Sequence, residues 1–512
     1  MSEVIILGPE RLTPDDVVAV GRRGARVEIS EQALEAVARS RGYVERLAES
    51  GEPVYGVSTG FGALATRYIE PSARKRLQRS LVRSHAAGSG QAVETEVVRA
   101  LMLLRLSTLC AGYSGVRPET VRAYASLLNA HITPVVPEYG SLGCSGDLAP
   151  LAHCALALMG EGEVADAEGR RVPAAEALAA AGVEPVALEE KEGLALINGT
   201  DGMLGMLALA IADLRALVRV ADIAAAMSIE ALLGTDAVMA AELQALRPHP
   251  GQAASARNMA RLLADSGIMA SHRVDDPRVQ DAYSLRCAPQ VAGAMRDTLA
   301  HAETVALREL NSVIDNPVVL PDGRTASNGN FHGAPVAYVL DFLAIATADL
   351  ASISERRTDR MLDVHRSAGL PPFLAEDPGV DSGLMIAQYT QAGIVSEMKR
   401  LAVPASVDSI PSSAMQEDHV SMGWSAGRKL RRSVDGLARV LAIEALAAAR
   451  ALEMRSPLEP GPGTAAVLAA MRAEVPGVGP DRFLAPEIET AHRLVVGGEI
   501  VAAAEAAVGE LE

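Results

Sequence analysis

The chain has 512 residues, of which 49% are hydrophobic and only 3% are aromatic, and its formal net charge is −17. A negative charge of this size argues against nucleic acid and against an anionic membrane as partners. The length suggests several domains or one large helical core, and the scarcity of β-branched and aromatic runs favours helices.

The cysteines and the N-terminus point to a cytoplasmic protein. The four cysteines show no metal-ligand spacing, and a chain of this length needs no disulfides for stability. The first residues lack the basic region of a signal peptide, and no uncharged run approaches the roughly 20 residues that span a bilayer. The ten histidines contain no HExxH pattern, so no metal site is predicted.

Helical periodicity dominates the chain from its N-terminus. Short strand pieces surround a first helix that Thr13 caps, with Pro14 in its first turn, and a second helix runs from Ser30 to Leu47. Two more predicted helices end near residues 310 and 360, and the others cover 72–86, 93–110, 118–130, 201–233, 383–401 and 420–454. Polar, glycine-containing loops separate these helices, and Thr200 or Asp201 is predicted to cap the helix at 201–233.

This pattern predicts a mainly α fold, in which a bundle of long helices is joined to a smaller, mixed N-terminal part that carries the active-site loops. We divide the chain into an N-terminal domain (1–200), a central long-helix bundle (201–455) and a C-terminal helical tail (456–512).

The most informative stretch runs from Gly140 to His153, and a helix begins within it after Asp147, whose carboxylate is predicted to cap that helix. If the turn presses the Gly146 nitrogen against the Cys144 carbonyl carbon, the backbone can close into a five-membered ring and lose water. Loss of a second water from Ser145 leaves an electrophilic exocyclic methylene, which no ordinary side chain supplies. The ring uses only backbone atoms of Cys144, so its thiol is a spectator. The alternative is a plain Gly/Ser turn before a helix.

Polar and aromatic residues in other loops are further candidates, although each one taken singly also suits a structural role. A nucleotide site is excluded because the glycine-rich loop at residues 55–62 lacks a Gly-Lys-Ser/Thr ending, and Ser145 does not lie in a G-x-S-x-G motif. The candidates are Tyr55, His85, Asn198, Gln280, Tyr283, Arg286, Phe331 and Glu417.

Seven ordered motifs relate these loops to one another. They are YGVSTGFG (55–62), SHAAG (84–88), GSLGCSGDLAPLAH (140–153), INGT (197–200), QDAYSLRC (280–287), GNFH (329–332) and QEDH (416–419). Through them the chain resembles the aromatic amino acid ammonia-lyase and aminomutase family over nearly its full length. The resemblance implies a 4-methylidene-imidazol-5-one (MIO) group, formed here from Cys144, Ser145 and Gly146, and no external cofactor.

The resemblance also implies a role for each candidate and a homotetramer whose sites are shared between subunits. The methylene derived from Ser145 takes the substrate amine, and Tyr55 removes the β proton, with Glu417 as the alternative base. Arg286 suits the substrate carboxylate because its planar fork pairs both oxygens. Asn198 and Tyr283 are implied to polarise the ring carbonyl or to hold the amine. His85, Gln280 and Glu417 are implied to contact the substrate side chain, and Phe331 to shape the pocket.

Two positions favour an imidazole substrate. An imidazole needs polar partners such as His85 and Glu417, whereas a phenyl ring needs neither. We therefore expect L-histidine as the substrate, with trans-urocanate and ammonia as products, in the first step of histidine degradation. The alternatives are a tyrosine or phenylalanine lyase or aminomutase on the same scaffold, and a non-catalytic helical scaffold.

Overall fold

The structure is a computed structural model that describes residues 3–8, 12–49, 56, 58–60, 62–64, 66–274, 276 and 278–512. Helices dominate it, which confirms the predicted mainly α class. The helices are α1 Pro14–Gly21, α2 Glu31–Glu49, α3 Pro71–His85, α4 Thr95–Cys110, α5 Pro118–Asn129, α6 Leu148–Leu158, α7 Ala174–Ala181, α8 Glu192–Ala195, α9 Asp201–Ala231, α10 Ala241–Ala245, α11 Pro250–Leu263, α12 Gly267–Ala270, α13 Tyr283–Arg286, α14 Ala288–Leu310, α15 Ala334–Leu362, α16 Met385–Leu401, α17 Gly423–Glu453, α18 Pro462–Arg472, α19 Ala485–Gly497 and α20 Glu499–Val508.

Strands are short and form small sheets. β1 and β2 pair in parallel, β3 and β5 pair antiparallel, β6 lies between β4 and β7, and β8 pairs with β9. They are β1 Val4–Leu7, β2 Arg26–Ile29, β3 Ser89–Ala92, β4 Thr133–Pro134, β5 Pro137–Tyr139, β6 Glu163–Ala165, β7 Arg171–Pro173, β8 Val318–Val319 and β9 Thr325–Ala326. The β3–β5 pair matters most here, because β5 leads directly into Gly140 and β3 follows His85 closely in the chain.

The residues form two compact units. The first unit comprises 1–212, 303–341 and 404–428, and the second comprises 213–302, 342–403 and 429–512. Long helices contribute residues to both units, because α9, α14, α15 and α17 each continue from one set of residues into the other. The domain boundaries at residues 200 and 455 stay a prediction.

In each unit, at least one helix is buried on nearly all sides along part of its length. In the first unit, α4 is buried without a break from Val97 to Leu106. In the second, α17 is buried from residue 440 to residue 452, and its Glu444 accepts hydrogen bonds from Ser228 and Arg357. Such all-round burial is typical of interior helices of large proteins.

One helix in the described part of the chain, α15, is long and apolar enough to cross a membrane by length and composition. Of its most apolar 18-residue window, 61% is buried within the structure, as is also found for core helices of globular proteins.

Candidate active site

The segment from Gly140 to Asp147, here called the reactive loop, bends back on itself. Gly143 and Gly146 have φ angles of +67° and +76°, in the left-handed region that favours glycine. Isolated backbone β-bridges join Gly146 to Gly143 and to Cys144. The loop therefore holds the backbone of Gly146 next to that of Cys144, which is the arrangement that ring closure needs.

Glycine is the only residue type that fits at position 146. A Cβ atom on it would lie 2.0 Å from the carbonyl oxygen of Gly199, which is a backbone atom and not the end of a flexible side chain. The next residue fixes this approach, because the Asp147 N–H donates to the same carbonyl oxygen over 2.7 Å. The residues present thus suit an MIO ring, because the attacking nitrogen belongs to a glycine whose backbone is bridged to that of Cys144.

Asp147 does not cap its own helix, contrary to the sequence-based interpretation. It precedes α6, but its side chain makes no capping bond there. Its carboxylate instead accepts the N–H groups of Gly202 and Met203, at 2.9 and 2.8 Å, and the hydroxyl of Ser141, at 2.8 Å. It therefore caps the start of α9, a role that the sequence assigned to Thr200 or Asp201. Burial raises the pKa of Asp147 to about 7.

The segment that leads into α17 also forms hydrogen bonds with the reactive loop, at residues before Cys144. The Ser421 hydroxyl donates to the Gly143 carbonyl oxygen over 3.2 Å, and the Met422 N–H donates to the Leu142 carbonyl oxygen over 3.0 Å. Residues that are distant in sequence thus hold the loop from both sides. Sequence reasoning missed Ser421, because nothing in its local pattern marks a tertiary contact.

Glu417 lies beside the serine that would lose its hydroxyl. The Ser145 hydroxyl donates to Oε1 of Glu417 over 3.4 Å, and the Ser412 hydroxyl donates to Oε2 over 3.0 Å. Backbone hydrogen bonds in both directions close the turn between Ser412 and Glu417. The structure therefore brings two sequence-predicted site residues together and adds Ser412, which orients the carboxylate.

The turn that presents Glu417 is strained. Ser413, Ala414 and Met415 all have left-handed backbone angles, with φ values of 51°, 52° and 70°. Non-glycine residues adopt this conformation at a cost and keep it only where the surrounding structure enforces it. Strain of this kind is concentrated at functional sites, which agrees with a binding role for Glu417.

The Cys144 thiol is in its protonated form at neutral pH. Burial, together with the charge of Glu417, raises its pKa to about 12. A thiol with such a pKa is a poor nucleophile. This agrees with the interpretation that only the backbone of Cys144 takes part in ring formation.

His85, the last residue of α3, presents one defined nitrogen. Its Nδ1 lies 2.9 Å from the carbonyl oxygen of Leu81, which can only accept, so Nδ1 carries the proton. Burial lowers the pKa of His85, while the charge of Glu417 opposes this shift. In the neutral ring, Nε2 is therefore the acceptor nitrogen.

Hydrogen bonds hold the side chain and the backbone of Asn198, but its side-chain oxygen is not part of them. Its Nδ2 donates to the Asn316 carbonyl oxygen over 2.9 Å, and its own backbone oxygen accepts from the buried Arg105 over 2.8 Å. Arg105 also donates to the carbonyl oxygens of Ala195 and Ile314. Within the described residues, the buried side-chain Oδ1 of Asn198 has no hydrogen-bond partner, so it is available to a donor on a ligand.

Phe331 is half-buried and lies two residues before Gly333. A Cβ atom on Gly333 would lie 2.4 Å from the sulfur of Met203 and 3.0 Å from the hydroxyl of Ser421. The segment that contains Phe331 therefore packs against the residues that fasten the reactive loop.

Three other candidates belong to the second unit. Gln280 and Arg286 line a cavity of about 610 Å³, and the guanidinium carbon of Arg286 lies 4.6 Å from the centre of the Tyr283 ring. Two arginines of this cavity, Arg273 and Arg278, are paired with aspartates, whereas Arg286 forms no ion pair with any described residue. Its Nε is buried and lacks a hydrogen-bond partner there. Arg286 is thus suited to an anionic group supplied by a ligand.

Tyr55 lies outside the described residues, so its proposed role stays a prediction. No group of three or more His, Cys, Asp or Glu side chains that could hold a metal ion is found among the residues that the structure describes.

Comparisons with known proteins place the whole chain in one family. The aromatic amino acid lyase family model matches residues 12–473. A histidine ammonia-lyase from Streptomyces coelicolor is 66% identical over 508 residues, which cover 99% of each chain. The crystal structure of a tyrosine aminomutase from Streptomyces globisporus superposes with a TM-score of 0.94 at 39% identity, covering 99% of this chain and 100% of that one. The structure of a histidine ammonia-lyase from Trypanosoma cruzi gives 0.91 at 38% identity, covering 99% and 96%.

The family model covers most of the chain, and one relative is 66% identical over nearly its full length. Both findings agree with the geometry of the reactive loop. The chain belongs to the aromatic amino acid lyase family.

Proposed function

We propose that this protein is a histidine ammonia-lyase, which converts L-histidine to trans-urocanate and ammonia. The observation that carries the proposal is the crowded contact of Gly146 with Gly199, since it prepares the Cys144-Ser145-Gly146 backbone for ring closure. The 66% identity to a histidine ammonia-lyase over the full length supports the choice of substrate.

The cofactor of the family is MIO, and we assign its formation here to Cys144, Ser145 and Gly146. Attack of the Gly146 nitrogen on the Cys144 carbonyl carbon closes the ring and releases one water. The Ser145 hydroxyl and α hydrogen leave as the second water. Once formed, the group would supply an electrophilic methylene for the substrate amine, and this would make the amine a better leaving group.

Recognition of the substrate imidazole rests on two hydrogen-bond acceptors in the first unit. His85 offers Nε2, and Glu417 offers a carboxylate held by Ser412. Both accept hydrogen bonds from N–H groups, which an imidazole has and a phenyl ring lacks. A charged acceptor also strengthens the bond to an N–H donor. We assign Gln280 to the same end of the substrate, and Phe331 to the wall of the pocket.

The substrate carboxylate needs a bidentate cation, and we assign this role to Arg286, whose Nε lacks a partner within the described part of the chain. Asn198 and Tyr283 polarise the ring carbonyl or hold the amine. The buried Oδ1 of Asn198 supports the second of these roles, because an amide oxygen accepts from an amine N–H and an unpaired acceptor in the interior is costly without a ligand donor.

Removal of the β proton is assigned to Tyr55, with Glu417 as the alternative base. The unperturbed pKa of a tyrosine is about 10, so the closed site has to lower it for the phenolate to act at neutral pH. Replacing Tyr55 with Phe distinguishes the two assignments. If Tyr55 is the base, turnover is lost while histidine still binds; unchanged turnover would point to Glu417.

We further propose a cytoplasmic homotetramer in which subunits share residues of each site. Apolar faces of the long helices support assembly: Phe342 and Ile345 of α15 are 46% and 47% exposed. Size-exclusion chromatography with light scattering tests this proposal. An active monomer would refute it.

The experiment that tests the function combines intact mass with product analysis. The active protein should weigh two waters less than the translated sequence, and it should produce urocanate from L-histidine. The second candidate, a tyrosine or phenylalanine lyase or aminomutase, is favoured by the similarity to the tyrosine aminomutase structure. It predicts cinnamate-type or β-amino acid products from those substrates. An unmodified mass without activity would instead indicate a non-catalytic scaffold.

A further inference from the structure

His153 is a partly buried residue in the middle of α6 to which the proposed mechanism assigns no role. It lies on the helix that follows the reactive loop, and its Nε2 accepts the backbone N–H of Gly88 over 3.1 Å. Gly88 lies three residues beyond His85 and directly before β3. One hydrogen bond therefore connects the helix after the electrophile to the segment that presents His85.

The packing around Gly88 leaves this connection little freedom. A Cβ atom on Gly88 would lie 3.1 Å from His153 Nε2 and 3.1 Å from the Tyr139 carbonyl oxygen. Likewise, a Cβ atom on Gly140 would lie 3.1 Å from the Cα of Gly88 and 3.0 Å from the Cβ of Ala149. The backbone at Gly88 is thus enclosed between α6 and the first residue of the reactive loop.

The contact requires one particular form of the imidazole. A backbone N–H only donates, so Nε2 of His153 must carry a lone pair and Nδ1 must carry the proton. Burial lowers the pKa of His153, which favours this neutral ring. Among uncharged side chains, glutamine places an acceptor oxygen near the position of Nε2, whereas asparagine places its amide near Nδ1.

We infer that His153 is a positioning residue for substrate recognition: it holds the Gly88 backbone on α6 and thereby sets the distance from His85 to the reactive loop. The hydrogen bond to Leu81 holds the His85 ring on the last turn of α3, so the contact of Gly88 with α6 determines where this end of α3, and His85 with it, lies relative to the reactive loop. The inference rests on the proposed role of His85 toward the substrate imidazole. Loss of the acceptor should move His85 and leave ring formation intact.

The test compares H153L, H153Q and H153N in the full-length protein, with L-histidine as substrate. We expect H153L and H153N to raise KM about three- to tenfold, the effect of one lost hydrogen bond, with a smaller change in kcat. H153Q should keep KM within about twofold of the wild type. All three should show the mass that lacks two waters. If H153L does not fold, the contrast between H153Q and H153N decides.

Two results would overturn the inference: a wild-type KM in H153N, or equal defects in H153Q and H153N. The variant H85L separates this failure from failure of the proposed function. A raised KM in H85L together with an unaffected H153N refutes only the role of His153. An unaffected H85L refutes the role of His85 itself, and with it the basis of the inference.

Discussion

The Ser145 hydroxyl donates to the Glu417 carboxylate over 3.4 Å, although the two residues are 272 positions apart in the sequence. In the proposed function, Ser145 supplies atoms of the electrophile and Glu417 binds the substrate side chain. Their contact would then place substrate recognition next to the reacting centre before any ring has formed.

Replacing Glu417 with Gln should impair histidine turnover selectively. The change keeps the shape of the side chain but removes the charge that strengthens its bond to an imidazole N–H. We expect kcat/KM for L-histidine to fall about 10- to 100-fold, which corresponds to the loss of one charge-assisted hydrogen bond. Steady-state kinetics measure this change. The neighbouring exposed Asp418→Asn is the control and should stay close to wild type; an equal loss in both variants would contradict a specific role for Glu417.

Replacing Gly146 with Ala should block maturation. The added methyl group would lie 2.0 Å from the Gly199 carbonyl oxygen, so the backbone has to move away from Cys144. Intact mass should then show no loss of the two waters. Gly169→Ala is a matched control, because Gly169 has the same φ of +76° but nothing within 4 Å of its Cβ position. A dehydrated mass in Gly146→Ala would refute the argument from crowding.

Replacing Cys144 with Ala should leave the enzyme active. Ring closure uses only the carbonyl and backbone atoms of this residue, and its thiol is protonated because its pKa is raised to about 12. We expect the full mass loss and a kcat/KM within about threefold of the wild type. Ser145→Ala is the contrasting variant, since it has no hydroxyl to eliminate and should be inactive. Loss of activity in Cys144→Ala would show that the thiol takes part.

Replacing Asp147 with Ala should destabilise the fold. The change leaves the N–H groups of Gly202 and Met203 and the Ser141 hydroxyl without their buried acceptor. We expect a loss of about 2 to 4 kcal/mol in the free energy of unfolding, measured by denaturant titration. The exposed carboxylate Glu168 supplies the control, and its replacement with Ala should cost less than about 0.5 kcal/mol.

The cost of Asp147→Ala should depend on pH in a defined direction. Because the pKa of Asp147 is raised from 3.8 to about 7 in the folded state, the folded chain keeps a proton that the unfolded chain releases between these values. Its stabilising contribution is therefore complete below about pH 4 and declines up to about pH 7, by at most about 1.4 kcal/mol per pH unit. The wild type and the variant should differ more at pH 5 than at pH 8. The opposite trend would mean that the carboxylate is ionised in the fold.

Local patterns in the sequence were sufficient for the long helices. Apolar periodicity and the change to polar, glycine-containing loops predict α9 as residues 201–233 and α17 as 420–454, close to the observed Asp201–Ala231 and Gly423–Glu453. The predicted Thr13 cap of α1 is confirmed, and the structure adds a reciprocal hydrogen bond with Asp16. These features depend on neighbours in the sequence, so the sequence contains enough information to predict them.

Tertiary hydrogen bonds were not predictable in the same way. Asp147 looks like an N-cap of the helix that follows it, but its carboxylate binds α9, because folding brings the free N–H groups of Gly202 and Met203 closer than those of α6. The candidate site residues were assembled through the family resemblance. Local spacing alone relates neither Ser145 to Glu417 nor His153 to Gly88.

The hydrogen bond from the Ser421 hydroxyl to the Gly143 carbonyl oxygen joins residues that are 278 positions apart in the sequence. During synthesis at roughly 5 to 20 residues per second, Ser421 is translated tens of seconds after the loop that it fastens. If this contact is needed for the proposed ring closure, we expect the nascent chain to carry an ordinary serine at position 145 until Ser421 has been made. An electrophile that could react with the thiols and amines of the cell would then be withheld until the residues that surround it exist.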